Sequence, residues 1–136
     1  MAATLRLEIV TPDATAYSED VEMVTLTGAD GELGVYPNHV PLLTTLRPGE
    51  LRVLKGGRET FLAVGEGFVE VKGDSVSVLT DLALEASNID ENAAEAAVAR
   101  AQAAMKEDHG SEESAALQAT LQKALAQLNV KRRRHQ

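Results

Sequence analysis

The 136-residue chain contains no cysteine. That excludes a disulfide framework, a thiolate metal site and a cysteine nucleophile together, and leaves the core to packing alone. No apolar run approaches the ~20 residues that a membrane-spanning helix requires. Met1 to Val10 alternates polar with apolar residues and lacks the basic-then-apolar layout of a leader, so the chain is expected to work in the compartment where it is made. Positive charge is scarce at the front. Up to Ser87 there are 6 Lys/Arg against 14 Asp/Glu, whereas from Asn88 onward 7 face 7, so the net charge of −8 belongs to the first part alone. An acidic front half repels phosphate backbones, which argues against nucleic acid as a partner.

What is present divides at about the same point. From Thr4 to Leu84 apolar residues recur with period two in short bursts: Leu5, Leu7 and Ile9; Val21, Met23 and Thr25; Leu51 and Val53; Phe61 and Ala63; Phe68, Val69 and Val71; Val76 and Val78. Turn chemistry separates them at Gly28-Ala29-Asp30-Gly31, Gly56-Gly57 and Gly73-Asp74. Many short strands at this spacing predict a sandwich or flattened barrel. The texture then changes. Glu91 to Lys106 holds eight alanines and neither glycine nor proline, which predicts a helix. Asn88 with Glu91 forms one candidate cap, Asp90 another. His109-Gly110 should end this helix and Ser111 should cap a second one reaching about Arg133, with Leu117, Leu121, Leu125 and Leu128 on one face. The expected fold class is therefore α+β: an antiparallel β-sandwich of about ten strands over residues 1–87, then an antiparallel two-helix hairpin over 88–136. Alanine gains less than leucine on burial, so the hairpin should be only modestly stable against opening.

The stretch Gly31 to Gly49, GELGVYPNHVPLLTTLRPG, reads as a shaped loop, with Gly31, Gly34 and Gly49 allowing unusual φ and Pro37, Pro41 and Pro48 fixing it. Its uncharged run from Val40 to Leu46, next to the Tyr36-Pro37-Asn38-His39 corner, suits a surface that meets another protein. Little in the chain suggests catalysis. His39, with Glu32 or Asp30, is the only candidate for base chemistry, against the plainer reading of a hydrogen-bonded loop histidine. Gly31-x-x-Gly34 and Gly65-x-Gly67 do not continue as a phosphate-binding or dinucleotide fingerprint and read as turns or bulges. Lys131, Arg132, Arg133 and Arg134 form a basic tail where cations also favour a helix C-terminus.

Residues Gly31, Leu33, Gly34, Pro37, His39, Pro41 and Leu42, followed by Gly65-Glu66-Gly67-Phe68 and Ile89-Asp90, resemble the epsilon subunit family of F-type ATP synthases. In that family Gly-x-Leu-Gly-(Val/Ile)-(Tyr/Leu)-Pro-x-His-x-Pro-Leu is a hallmark, and the resemblance runs from about Leu5 to Val130. It implies a non-catalytic rotor subunit without a cofactor, bound to the gamma subunit and the c-subunit ring. The helices would meet the alpha and beta subunits in one of two conformations, and their extended state would inhibit ATP hydrolysis. The implied location is peripheral, on the cytoplasmic face of the bacterial plasma membrane or the stromal face of the thylakoid. By resemblance, Gly31, Glu32, Gly34, Pro37, His39, Pro41 and Leu42 form the rotor interface, with Glu32 approaching polar loops of the c ring, and the basic tail meets an acidic segment of beta. Some bacterial members bind ATP on the hairpin; Ile89, Asp90 and Ala94 match that motif and Arg100 a later arginine, but Ala93 replaces the motif's own arginine, while Lys123 and Gln127 stand where arginines would serve. Loss of bidentate guanidinium contacts implies weak or absent ATP binding. The alternative reading is a stand-alone adaptor or ligand-binding sandwich module.

Overall fold

Alternation in the first part of the chain builds ten strands: β1 (Leu5–Val10), β2 (Thr15–Val21), β3 (Met23–Gly28), β4 (Gly31–Val35), β5 (Leu42–Leu46), β6 (Gly49–Lys55), β7 (Arg58–Val64), β8 (Gly67–Lys72), β9 (Ser75–Thr80) and β10 (Ala83–Glu85). A 3-10 turn (Ala86–Asn88) leads into α1 (Glu91–Met105) and then α2 (Ser111–Arg133). This is a computed structural model describing residues 3–107 and 110–133. The hydrogen-bonded path runs β10-β7-β6-β3-β5-β8-β9-β1-β2, with β4 pairing β3 outside it. Every pairing is antiparallel except that of β1 with β9. β3 joins the two layers, pairing with β6 through Met23 to Thr25 and with β5 at Gly28. Between the layers lies an aliphatic core that includes Leu7, Ile9, Leu26, Leu51, Val53 and Val69.

The two-residue turns sit where glycine chemistry required them. Gly56 and Gly57 take φ of 59° and 77° between the paired residues Lys55 and Arg58, and Gly73 takes 61° in the turn closing β8 on β9. These positive values suit glycine because no Cβ opposes them.

Several expectations shift in phase. The alternation of Val21, Met23 and Thr25 fails because the chain turns at Glu22, between β2 and β3; Val24 and Leu26 enter the core instead, and Met23 is only half-buried. Phe68 cannot share the core with its neighbour Val69, since adjacent strand residues face opposite ways, and it lies exposed. β7 is buried on both faces: Leu62 and Val64 point into the sandwich, whereas Phe61 and Ala63 face the helices. The Gly31 to Gly49 segment is mostly strand rather than loop, with irregular parts at Tyr36 through Pro41 and at Arg47-Pro48. Only Gly31 of its three glycines has positive φ, 120°; Gly34 and Gly49 have ordinary values, and it is Asn38 that carries the other positive φ, 65°. At Gly34 a Cβ would come within 2.9 Å of Met23 Cε, the far end of a flexible side chain that can swing aside.

The helices follow composition more closely than capping. Asp90, not Asn88, caps α1, its carboxylate accepting from Ala93 N at 3.1 Å. α1 ends at Met105 rather than at His109-Gly110; His109 lies outside the described residues. Ser111 is the first helical residue of α2, and Gly110 O accepts the first helical bond, from Ser114 N at 2.9 Å. On α2, Ala124, Ala126, Leu128 and Val130 are buried while Leu121 and Leu125 pack partly against them, so the apolar face lies nearer the C-terminal end than the leucine spacing implied. α1 contributes Ala94, Val98 and Ala101. α2 rests on β6 and β7, and α1 packs against α2.

One approach in the sandwich admits no side chain. A Cβ on Gly67 would stand 1.7 Å from Leu79 O, a backbone atom that cannot rotate away. Gly67→Ala should therefore force β8 away from β9 and lower unfolding stability by about 1–3 kcal/mol, the range for overpacking. Urea unfolding midpoints measure this, and an alanine variant as stable as the parent would show the approach to be wrong.

Candidate functional site

β4, the turn after it and the first residue of β5 carry the seven residues expected at an interface, but strand geometry spreads them out. Glu32 sits near the start of β4 opposite Thr27 of β3. Pro37, His39 and Pro41 lie in the turn beyond its other end, about 10 Å further on at ~3.3 Å per residue. Leu42 and Leu33 tuck against the core, and Gly34 opens space for Met23. The turn is tied to the rest of that end through Asn38 N, which donates to Asp74 Oδ1 at 2.9 Å. Asp74 in turn accepts through its backbone oxygen from Arg6 N at 2.7 Å.

His39 and the acids do not form a catalytic pair. The Nδ1 of His39 lies 2.7 Å from Val40 O, and since a carbonyl only accepts, this nitrogen carries the proton. Glu32, at the opposite end of β4, is engaged by Arg52, whose NH2 is 3.2 Å from its Oε1. Among the described residues no cluster of His, Asp or Glu is arranged to hold a metal ion. No described helix is long and apolar enough to cross a membrane.

The outer face of the layer formed by β5, β8 and β9 is what sequence reasoning overlooked. In register, Thr45 pairs with Phe68 and Phe68 with Leu79, while Leu43 stands one row away beside Glu70. Leu43, Phe68 and Leu79 are 69, 56 and 52 % exposed, and Tyr36 and Val40 of the turn are exposed as well. Contiguous apolar side chains of this kind mark an interaction surface. The signal was present in the sequence: Phe68 and Val69 are adjacent, so one of them had to face outward. The α2 helix occupies β6 and β7 of the other layer, over Phe61 and Ala63.

The basic tail is occupied within the chain. Arg133 donates through Nε to Glu50 Oε2 at 2.6 Å, and its Cζ lies 5.4 Å from the Phe61 ring centroid. Lys131 Nζ donates to Ala86 O at 3.1 Å. Arg132 reaches Glu95 at 2.5 Å and Glu91 at 3.2 Å on α1, and those two hydrogen bonds, Glu95 first, raise its pKa further above the ordinary range. Further along α2, Lys123 pairs with Asp81. Arg134 lies outside the described residues. The four residues matching the nucleotide motif do not converge: Ile89 and Ala94 are packed in the helical core, Asp90 is held by its cap, and Arg100 is exposed on α1.

Comparison with known proteins accounts for both parts of the chain. Residues 4–86 match the family model described as ATP synthase, Delta/Epsilon chain, beta-sandwich domain, and residues 87–132 the one described as ATP synthase, Delta/Epsilon chain, long alpha-helix domain. The ATP synthase epsilon chain of Laribacter hongkongensis is 42% identical over 130 residues, covering 94% of this chain and 93% of that protein. The fold recurs in a chain of the Euglena gracilis mitochondrial ATP synthase, in a structure comprising OSCP, F1 and c-ring, with a TM-score of 0.78 and 23% identity over 93% of this chain and 80% of that one. A chain of the Tetrahymena thermophila mitochondrial ATP synthase central stalk and c-ring gives a TM-score of 0.54 and 15% identity over 64% of this chain and 70% of that one. With both halves matched in order and close identity along nearly the full length, the chain belongs to the ATP synthase delta/epsilon family, as a non-catalytic subunit of the epsilon type.

Proposed function

We propose that this subunit is part of the turning central stalk, seated on the gamma shaft through the outer face of β5, β8 and β9 and on the c ring through the β4 end. The observation that carries this reading is the uncovered apolar surface of Leu43, Phe68 and Leu79, with Tyr36 and Val40 of the turn exposed as well. A rotor part must resist torque, and apolar burial on a hydrogen-bonded sheet provides a stiff seat where isolated ion pairs would not. Glu32 is exposed at the sandwich edge and suits a rim contact with basic c-ring loops, contributing more to register than to affinity. The location that follows is the cytoplasmic face of a bacterial plasma membrane, or the stromal face of a thylakoid. Placing a charge on the seat is the direct test. Phe68→Glu and Leu43→Glu should each weaken association with gamma by about tenfold or more, the loss expected from withdrawing one large apolar side chain. Unaltered copurification with gamma would favour the stand-alone adaptor reading instead.

Within the same reading, residues 1–87 act as the rotor seat and 88–136 as a regulatory unit that docks on β6 and β7 or extends toward alpha and beta. What supports it is the composition of the docking contact, in which alanines (Ala63, Ala86, Ala94, Ala124, Ala126) are interspersed among larger side chains such as Ile89, Leu128 and Val130, so that many of its positions gain less on burial than those of the leucine- and valine-filled sandwich core. Arg133 and Lys123, which pair with Glu50 and Asp81 of the sandwich in the docked state, become available when the hairpin leaves. Removing Asn88 to Gln136 should raise ATP hydrolysis by the assembled enzyme; hydrolysis at the parental rate would dispose of the regulatory role.

Nucleotide binding by the hairpin is weak or absent in this reading. Ala93 offers no guanidinium, and Asp90 is committed to its cap. Isothermal titration of the isolated chain with ATP should give no micromolar binding, and a micromolar constant would overturn this point.

A further inference from the structure

Four side chains of alternating charge link the β4 edge to the end of α2. Glu32 Oε1 is 3.2 Å from Arg52 NH2, Arg52 Nε is 4.0 Å from Glu50 Oε1, and Glu50 Oε2 accepts from Arg133 Nε at 2.6 Å. The sheet makes the row. Glu50 and Arg52 are two residues apart on β6, so they share a face, and β3 places Thr25 between Gly34 of β4 and Arg52. The outer end of the row is open, with the Glu32 side chain 69 % exposed, and the middle is sheltered, with that of Glu50 only 18 % exposed.

We propose that Arg52 is a relay which couples capture of Glu32 by an outside cation to release of α2 from the sandwich. The sheltered carboxylate of Glu50 is shared between two guanidinium groups, and Arg52 is itself shared between two carboxylates. While Glu32 holds Arg52, Glu50 depends on Arg133, and Arg133 keeps the end of α2 on the sheet with Phe61 beneath it. A Lys or Arg from a partner that takes over Glu32 repels Arg52 and removes its competing anion. Arg52 then closes the 4.0 Å gap to Glu50, and the hold of Glu50 on Arg133 weakens. Linkage makes the effect mutual: a detached α2 leaves Glu50 to Arg52, which bares Glu32 for the partner. Each exposed pair shifts an equilibrium by only a few fold. That is enough to bias the docked hairpin without locking it.

This inference rests on the reading that Glu32 faces a cationic partner, but its test needs none. The parent has no cysteine, so Ala126→Cys places a single thiol in the buried contact beneath α2. Its modification rate by a maleimide, in the isolated full chain, reads how often the hairpin opens. Glu32→Gln, which mimics capture of that charge, should speed labelling by about two- to fivefold, the range for one exposed pair. In an Arg52→Gln background the same change should leave the rate unaltered, because the connection to Glu50 is gone. Equal labelling with and without Glu32→Gln, or an acceleration that persists in the absence of Arg52, would overturn the relay. Failure of Glu32 to cross-link to c-subunit loops in the assembled enzyme would count against the partner reading and leave the labelling result standing.

Discussion

The burial of β7 on both faces is the constraint from which the rest of the architecture follows. Leu62 and Val64 close the sandwich core, and Phe61 and Ala63, on the same seven-residue strand, form the floor for α2. Because the inward contacts belong to a hydrogen-bonded sheet with β6 and β10 on either side, the strand keeps its place whether or not the helices cover it. The outward contacts mix alanines such as Ala63, Ala124 and Ala126 with Phe61, Leu121, Leu125 and Leu128. A platform and its helical cover thus share one strand, and in the proposed reading the cover is the part that detaches.

The two outer faces of the sandwich divide the work. One layer carries the helices and the acids Glu50 and Asp81 that hold α2 through Arg133 and Lys123. The other presents Leu43, Phe68 and Leu79 to an outside surface. In the proposed reading such a division separates the movement of the hairpin from the seat on gamma, since the hydrogen-bonded path from β5, β8 and β9 reaches β6 and β7 through β3. The steric demand at Gly67, with Leu79 O too near for any Cβ, keeps β8 and β9 in close register beneath that seat. A stiff seat and a releasable cover are what the proposed regulatory role in a turning machine requires.

Much of this was legible in the amino-acid sequence, and the misses share a physical cause. Leu5, Leu7 and Ile9, the Gly56-Gly57 hairpin and the alanine-rich α1 each declare their structure through a local preference. Met23, Phe61 and Phe68 misled because period two says that faces alternate without saying which face is inward, and a turn at Glu22 resets the phase. The Gly31 to Gly49 segment read as loop because its glycines and prolines outweighed the strand signal of Leu42 to Leu46. At the site, sequence pattern singled out Glu32 but not Arg52, which stands beside it only because β3 lies between β4 and β6. The grip of Arg133 on Glu50 spans 83 positions and no local pattern encodes it.

The central claim is that the helical hairpin opens as a unit from a sandwich that stays folded. Native-state hydrogen exchange resolves this amide by amide. The structure predicts that amides of α1 and α2 exchange through a shared opening smaller in free energy than that of β6 and β7, whose ladder remains protected while the helices are off. If α1, α2 and β7 instead exchanged with one common free energy equal to that of global unfolding, hairpin and sandwich would be a single cooperative unit and the claim would fail.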